Sequence, residues 1–137
     1  MSAVCGIIHF VGNSVSAEKS NEMMHNLKSY PIDDSGQWKK GQAFLGSVIK
    51  YTTPESTREI LPYIHPETGL IITADAIIDN RNELLTRFNV PKTEWESIPD
   101  SNLILMSYLE WGEDCPKYLI GDFTFVIWDE KRKELLC

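Results

Sequence analysis

The chain has 137 residues, of which 42% are hydrophobic and 24% charged, a composition typical of one folded domain with a real core. Its formal net charge of -7 argues against nucleic acid as the main partner, because binding phosphates requires clustered Lys and Arg. No apolar run approaches the roughly 20 residues that span a bilayer, so we expect no membrane partner.

The cysteine content indicates the redox setting. The chain has three cysteines, Cys5, Cys115 and Cys137, without paired or zinc-ligand spacing. An odd number of unpaired cysteines fits neither a disulfide framework nor a zinc site. We therefore expect no metal in this domain and a reducing, cytoplasmic location.

The first third of the chain predicts two strands separated by a helix and a loop. Residues 3–11 are apolar and β-branched, which predicts a strand buried on both faces. Ser16 is the predicted N-cap of a helix that ends near Pro31. Residues 33–42 have the composition of a turn-rich loop, and residues 43–51 predict a second strand.

The middle of the chain predicts a long connection, a strand and a helix. Residues 52–69 contain three prolines and predict an irregular connection. Residues 70–78 predict a third strand, and Asp79 is the predicted N-cap of a helix over 80–88. Residues 89–99 then form a predicted linker.

The last third predicts a helix and a hairpin. Asp100 or Ser101 is the predicted cap of a helix over 102–111, which Gly112 ends. Residues 118–137 predict a β-hairpin with alternating faces. This order of elements favours an α+β sandwich of mostly antiparallel sheet. The chain stops inside a predicted strand, so we expect it to be a fragment of a longer protein.

Cys5 admits two interpretations. A cysteine in an apolar strand is most often a small buried hydrophobic residue. It could instead be a nucleophile whose own α-amine acts as general base, with the N–H of Gly6 available to an oxyanion. That second interpretation requires removal of residues 1–4. The pattern of residues alone leaves both open.

Five stretches, taken in order, resemble the N-terminal class II glutamine amidotransferase domain of the asparagine synthetase family. The resemblance runs from Cys5 to Cys137 and is carried by the motifs CGIIHFVG, IDDSG, LGSVIKYTTPES and ADAIIDNRNELL and by the stretch from PDSNLILM to the C-terminus. It implies a four-layer αββα sandwich of the N-terminal-nucleophile hydrolase type, with two mostly antiparallel sheets. Residues 1–137 would then be a type-2 glutamine amidotransferase-like domain.

The same resemblance implies an activity and its partners. In active members the cysteine attacks the side-chain amide of glutamine, ammonia passes to a C-terminal ATP-pyrophosphatase synthetase domain, and glutamate is released. We therefore expect glutamine and the chain's own synthetase domain as partners. ATP and Mg²⁺ would act in that second domain, and we expect no cofactor in this one.

The resemblance also assigns site residues. It places Cys5 at the nucleophile position with Gly6 beside it. Asp100 matches the acid that holds the α-amino group of glutamine, a role that suits a carboxylate. Asp75 and Ala76 fall where the family has the Asn-Gly segment of the oxyanion hole and substrate site.

Three departures from the family pattern predict weak or lost glutaminase activity. The arginine that clamps the glutamine α-carboxylate is replaced at or next to Val48 and Ile49. Asp75 brings a carboxylate to the place of an amide donor, and loss of one such donor typically costs about a hundred- to a thousandfold in rate. Residues 1–4 also block the amine of Cys5.

Other segments are similar to a branch of asparagine-synthetase-like proteins from bacterial peptide-modification clusters, the lasso-peptide macrolactam synthetases. These segments are MSAV, TTPES and DNR. This similarity implies an alternative, a non-catalytic structural or dimerisation domain of an enzyme that acts on a peptide substrate, with a homodimer as one form. A free-standing binding domain is a third possibility.

Overall fold

The structure is a computed structural model, and it describes residues 2–29 and 31–137. Met1, part of the segment whose removal would free Cys5, lies outside the described residues. The strands and α-helices within the described residues are β1 Ala3–Ile8, α1 Ala17–Leu27, β2 Asp34–Lys40, β3 Ala43–Ile49, β4 Tyr63–Ile64, β5 Ile71–Ile78, α2 Arg81–Arg87, α3 Asp100–Trp111, β6 Gly121–Asp129 and β7 Glu134–Leu136. Short 3-10 helical segments cover 55–58, 92–97 and 112–118.

Two antiparallel sheets form the centre of the domain. The first sheet has the strand order β1-β3-β2, and the second has the order β4-β5-β6-β7. All neighbouring strands in both sheets pair antiparallel. The predicted α+β class with two antiparallel sheets is therefore confirmed.

The layers follow one another as helix, sheet, sheet and helix. Helix α1 packs on the outer face of the first sheet around Met24, Phe44 and Val48. The inner faces of the two sheets meet at a cluster made by Ala43, Leu45, Ile71 and Trp128. The largest cluster packs helices α2 and α3 on the outer face of the second sheet, and its members include Ile72, Ala74, Leu84, Leu85, Leu103, Ile104, Phe125 and Ile127. These layers match the predicted αββα order.

Several local predictions are confirmed. Ser16 caps α1, and its side chain accepts a hydrogen bond of 3.2 Å from the backbone N–H of Lys19. Gly112 ends α3 with a φ of 58°, a conformation that glycine adopts without a Cβ penalty. In the hairpin, Phe125 faces the helices and Trp128 faces the other sheet, as their alternation predicts.

The loop predicted over 33–42 is wrong, because Asp34–Lys40 forms strand β2. This strand pairs with β3 along its whole length, and Trp38 packs against the cluster between the sheets. Its Asp, Ser, Gly and Lys content has low strand propensity, but an edge strand needs only one partner, and pairing with the fully buried β3 outweighs local preference.

Three further predictions require correction. Strand β1 is only half-buried, because it lies at the edge of its sheet rather than in the middle. Asn80, not Asp79, is the N-cap of α2, and its side chain bonds Tyr118 O and Ile120 N, each at 3.0 Å. Helix α3 begins at Asp100 with Pro99 as its N-cap, so neither predicted cap residue stands outside the helix.

No helix in the described residues is both long and apolar enough to cross a membrane.

We expect the substitution Gly36→Ala to destabilise the domain by about 1–3 kcal/mol, the usual cost of overpacking. A Cβ on Gly36 would lie 1.9 Å from the carbonyl oxygen of Leu61, so backbone would have to move. The matched control is Ser35→Ala on the same strand, which we expect to change the free energy of unfolding by less than about 0.5 kcal/mol. Urea unfolding measures both, and equal effects of the two substitutions would contradict this account of β2.

Candidate functional site

A cavity of about 420 Å³ opens between the two sheets, at the end where β1 begins and β3 ends. Its lining residues are Ser2, Thr52, Asp75, Ile77, Asp122, Phe123 and Thr124. Asp75 pairs with Thr124 across β5 and β6, and Ile77 pairs with Asp122. Because side chains alternate along a strand, these four share the face that looks toward the first sheet. We take this cavity as the candidate site, because it contains Asp75.

Cys5 lies on the other side of the first sheet. It packs with Ala3 and Ile7 into the cluster under α1, and its Sγ is 4.0 Å from the Sδ of Met24. Burial raises the pKa of the Cys5 thiol, although a backbone hydrogen bond at Gly46 lowers it in part. The described structure does not bring Cys5 to the cavity, and its role as nucleophile stays a prediction.

Among residues 2–8, Ser2 lines the cavity. Its hydroxyl accepts a hydrogen bond of 2.9 Å from Lys50 N and donates one of 3.4 Å to Lys50 O. Ser2 was not predicted from the sequence, because Cys5 was the candidate chosen in this strand for its thiol. The alternation along β1 contains the signal, since a residue three positions from Cys5 faces the opposite side of the sheet.

Gly6, predicted beside the nucleophile, has a packing role in the structure. It pairs with Leu45, and a Cβ at this position would lie 2.8 Å from Leu45 Cδ2 and 3.1 Å from Phe44 O. The absent side chain therefore lets β1 approach β3 closely. Its predicted role near an oxyanion stays a prediction.

Only one member of the predicted Asp75–Ala76 pair faces the cavity. Asp75 is half-buried and lines it, whereas Ala76 packs into the cluster beneath the helices. No hydrogen bond or ion pair to the Asp75 carboxylate is formed by any residue within 2–29 and 31–137. Within the described residues the Asp75 carboxylate is therefore unpaired, at the position where the resemblance predicts an amide.

Asp100 is only 4% exposed and lies behind β5, outside the set of residues that line the cavity. Its carboxylate accepts a 3.1 Å hydrogen bond from Ile78 N and forms an ion pair with Nη1 of Arg81. Burial raises the pKa of Asp100, and the Arg81 charge opposes that rise. Both oxygens are therefore used within the chain, and the predicted contact with an α-amino group stays a prediction.

Arg81 and Glu59 hold the connection over 52–62 against the helices, and sequence reasoning assigned neither of them a role. Nη2 of Arg81 donates to Ile98 O at 2.7 Å, and its Nε lies 3.7 Å from a carboxylate oxygen of Glu55. Glu59 accepts a 3.0 Å hydrogen bond from Ser101 N at the start of α3, and a second from the Ser101 hydroxyl. These contacts fix the segment that carries Thr52 to the cavity.

The cavity lacks a cationic wall. Val48 and Ile49, at the predicted arginine position, are apolar and buried, and the ammonium of Lys50 pairs with Asp33 at 3.0 Å. Among the described lining residues, none is Lys, Arg or His. The described part of the chain also contains no group of three or more His, Cys, Asp or Glu residues placed to hold a metal ion. Two carboxylates and three hydroxyls suit a positively charged hydrogen-bond donor rather than a carboxylate or an oxyanion.

The profile of the glutamine amidotransferase domain family matches residues 3–137, nearly the whole chain. The chain belongs to this family. Among curated relatives, the glutamine-hydrolysing asparagine synthetase 3 of Bacillus subtilis (strain 168) is 26% identical over 139 residues, covering 100% of this chain and 23% of the relative.

Two plant proteins are also similar to this glutamine amidotransferase domain. The glutamine-hydrolysing asparagine synthetase of Asparagus officinalis is 28% identical, with 93% of this chain and 22% of the relative covered. The glutamine-hydrolysing asparagine synthetase 2 of Lotus japonicus is 28% identical, with 97% and 23% covered. The chain thus spans about a quarter of the length of the curated relatives it matches. The predicted asparagine-synthetase type of domain is confirmed, and the macrolactam-synthetase branch stays a prediction.

We expect the Cys5 thiol to react slowly with alkylating reagents in the native protein. Its raised pKa lowers the thiolate fraction at any given pH near neutrality, and the thiolate is the reactive form. Labelling with iodoacetamide followed by peptide mass mapping gives the rate for each cysteine. The Cys5 rate should be several-fold lower than in the urea-unfolded chain, and equal native and unfolded rates would contradict the burial described here.

Because of Glu59, the free energy of unfolding should depend on pH at values above the usual carboxyl pKa. Burial, with a smaller effect from Asp100, raises the pKa of Glu59 above its usual 4.5, although Ser101 hydrogen bonds oppose the rise. The folded state then binds more protons than the unfolded state just above that pH, so this contribution to stability falls as pH rises. The stability of the wild type relative to Glu59→Gln should increase as pH is lowered from neutrality toward 4.5.

Urea unfolding at several pH values measures this difference. Glu67→Gln is the matched control, because Glu67 is an exposed glutamate between β4 and β5, and we do not expect its substitution to reproduce the effect of Glu59→Gln. A wild-type to Glu59→Gln difference that stays constant over this range would contradict the assignment.

Proposed function

We propose that the chain is the amidotransferase domain of a longer, ATP-dependent, amide-forming protein of asparagine-synthetase type in which glutamine hydrolysis is weak or lost. The observation that carries the proposal is the composition of the cavity, which holds two carboxylates and no cation among its described lining residues. ATP and Mg²⁺ would act in the part of the longer protein outside this domain.

The chemistry of amide hydrolysis supports this proposal. The tetrahedral intermediate places a negative charge on the former carbonyl oxygen, and catalysis depends on donors aimed at that oxygen. Asp75 faces the cavity with an acceptor-only carboxylate, which repels such a charge. Loss of a single donor costs about a hundred- to a thousandfold in rate, and a repelling group in its place should cost no less.

Freeing the Cys5 amine by proteolysis would also damage the first sheet. Removal of residues 1–4 would delete the Ala3–Val48 and Val4–Ser47 pairs of the β1–β3 ladder. It would also remove the two hydrogen bonds between Ser2 and Lys50. In the uncleaved chain the Cys5 side chain faces α1, away from the cavity.

A domain without glutaminase activity supplies no ammonia to a synthetase. The amine that the longer protein joins to its activated carboxylate would then come from another source, a peptide amine included. This consequence agrees with the predicted macrolactam-synthetase branch. The domain itself would act by packing against the synthetase part of the longer protein.

The test is glutamate release from glutamine by the full-length protein that contains this domain. We expect a rate at least about a hundredfold below that of an active asparagine synthetase assayed in parallel. Cys5→Ala should leave any residual rate unchanged, as should the matched cysteine control Cys137→Ala, because neither side chain lines the cavity.

Intact mass of the same sample completes the test. A product that lacks Met-Ser-Ala-Val, together with glutamate release that Cys5→Ala abolishes, would overturn the proposal and establish Cys5 as the nucleophile. Retention of Val4 with no glutamate release supports it.

A further inference from the structure

We propose that the free edge of β1 receives one additional β-strand, an extended segment that follows Cys137 in the longer protein. This inference rests on the proposed function, because the segment comes from the part of the longer protein outside this domain. The interaction surface is the side of the sandwich formed by β1 in the first sheet and β7 in the second.

The free edge of β1 lacks the features that usually protect a sheet edge. The strand runs over six residues, Ala3–Ile8, without a charged side chain or a proline. Sheet edges are normally blunted by charges, proline or short length, because their unpaired N–H and C=O groups recruit other strands. The other three edges follow this rule, since β2 carries Lys39 and Lys40, β4 has only two residues, and β7 has three, one of them Glu134.

Half of the backbone polar groups of β1 have no partner within the described residues. The strand pairs only with β3, and the N–H of His9 directly after it donates to Gln42 O at 2.9 Å. Because bonded pairs alternate along an antiparallel ladder, the N–H and C=O groups of Val4, Gly6 and Ile8 point away from β3. The two residues outside the described ranges are not adjacent in sequence, so neither supplies a strand for a six-residue edge.

The second sheet extends further than the first on this side of the sandwich. At one end of β1, Ser2 lines the cavity together with Asp75 of β5 and Thr124 of β6. Just past the other end, the ring of Phe10 lies 6.3 Å from that of Trp128 on β6. Strand β1 therefore lies across from β5 and β6, and β7 extends beyond it without a strand of the described first sheet above it.

The inner face of β7 is accordingly open. Leu135 lies opposite Trp128 in the β6–β7 pairing, so the two side chains share the inner face. Trp128 is only 1% exposed, whereas Leu135 is 37% exposed, and Phe10 and Val11 after β1 are 64% and 91% exposed. A strand with apolar side chains at alternate positions would pair with the β1 backbone and bury this apolar surface at once.

The space beside β1 fits a single strand and not a second copy of the domain. A second copy that paired through its own β1 would bring its own second sheet into the space that β7 occupies. A single extended segment has no sheet beneath it and avoids this clash. Strand β7 lies under the open position and ends at Leu136, and the chain spans about a quarter of the length of its curated relatives. A segment that follows Cys137 thus starts next to the edge it would cover.

Amide hydrogen exchange on the purified full-length protein, resolved at single residues, tests this inference. After correction for intrinsic rates, the amides of Val4, Gly6 and Ile8 should exchange at least about a hundredfold more slowly than that of Val11, which is exposed beyond the strand. Equal corrected rates at the four positions would overturn the added strand.

Val4→Pro and Val4→Ala are a matched pair for the same measurement. Both remove the valine side chain, but only proline also removes the N–H that points away from β3. Proline is tolerated at a free sheet edge, so an open β1 predicts equal exchange at Gly6 and Ile8 in the two variants. With the added strand in place, these two amides should exchange at least about tenfold faster in Val4→Pro. The wild-type measurement decides the question if Val4→Pro does not fold.

Photo-crosslinking identifies the strand that covers the edge. In the variant Leu135→p-benzoylphenylalanine, light should join position 135 to a peptide that follows residue 137 in the same molecule. Crosslinks to a second molecule, or edge protection that rises with protein concentration, would assign the edge to a second copy and overturn the proposal.

The outcomes separate this inference from the proposed function. Glutamate release by a protein whose β1 edge is protected would overturn the proposed loss of glutaminase activity and leave the added strand standing. Fast exchange along the edge without glutamate release would overturn the added strand and leave the proposed function standing.

Discussion

Each sheet of this sandwich has to cover two surfaces at once, helices on its outer side and the other sheet on its inner side. Because side chains alternate along a strand, one residue in two is assigned to each surface, and no residue can serve both. Met24 and Phe44 on one side and Leu45 and Trp128 on the other fix this alternation by burial. The positions of Cys5, Ser2 and Asp75 follow from it, because each occupies a strand or its immediate extension.

Because of this alternation, the charge of the cavity depends only on the few inward-facing residues at the open end of the sheets. At the open end of the sheets the inward-facing positions are no longer covered, so their charge is constrained by solvent and ligand rather than by packing. Asp75 is half-buried and Asp122 is exposed, and no residue in the described part of the chain pairs with either of them. Asp100, only one layer away, is buried and needs both Arg81 and the N–H of Ile78.

Sequence reasoning performed well where local pattern and burial agree. Strand β5 and the C-terminal hairpin have clear alternation, and Ser16 and Gly112 have the cap chemistry their positions require. Strand β2 was missed because its composition is that of a turn and only its pairing with β3 makes it a strand.

In the candidate site, too, local pattern predicts some features, whereas others depend on contacts between residues distant in sequence. Asp75 was found because a motif places it in order along the chain, and its side of the strand follows from alternation. The Asp100–Arg81 pair and the Glu59–Ser101 contact join residues 19 and 42 positions apart, so nothing in the local sequence predicts them. Alternation along β1 could have indicated that Ser2 faces the cavity, whereas the role of Cys5 as nucleophile stays a prediction.

Fold and chemistry are therefore separable in this domain. The apolar clusters that hold the layers together contain none of the residues that line the cavity except Phe123, which packs against the helices. A substitution at Asp75 would change the charge of the cavity and remove no member of these clusters, because Asp75 belongs to none of them. The buried layers stabilise this fold, and the residues at its open end can differ in charge without loss of that packing. The function therefore has to be argued from the cavity and not from the fold.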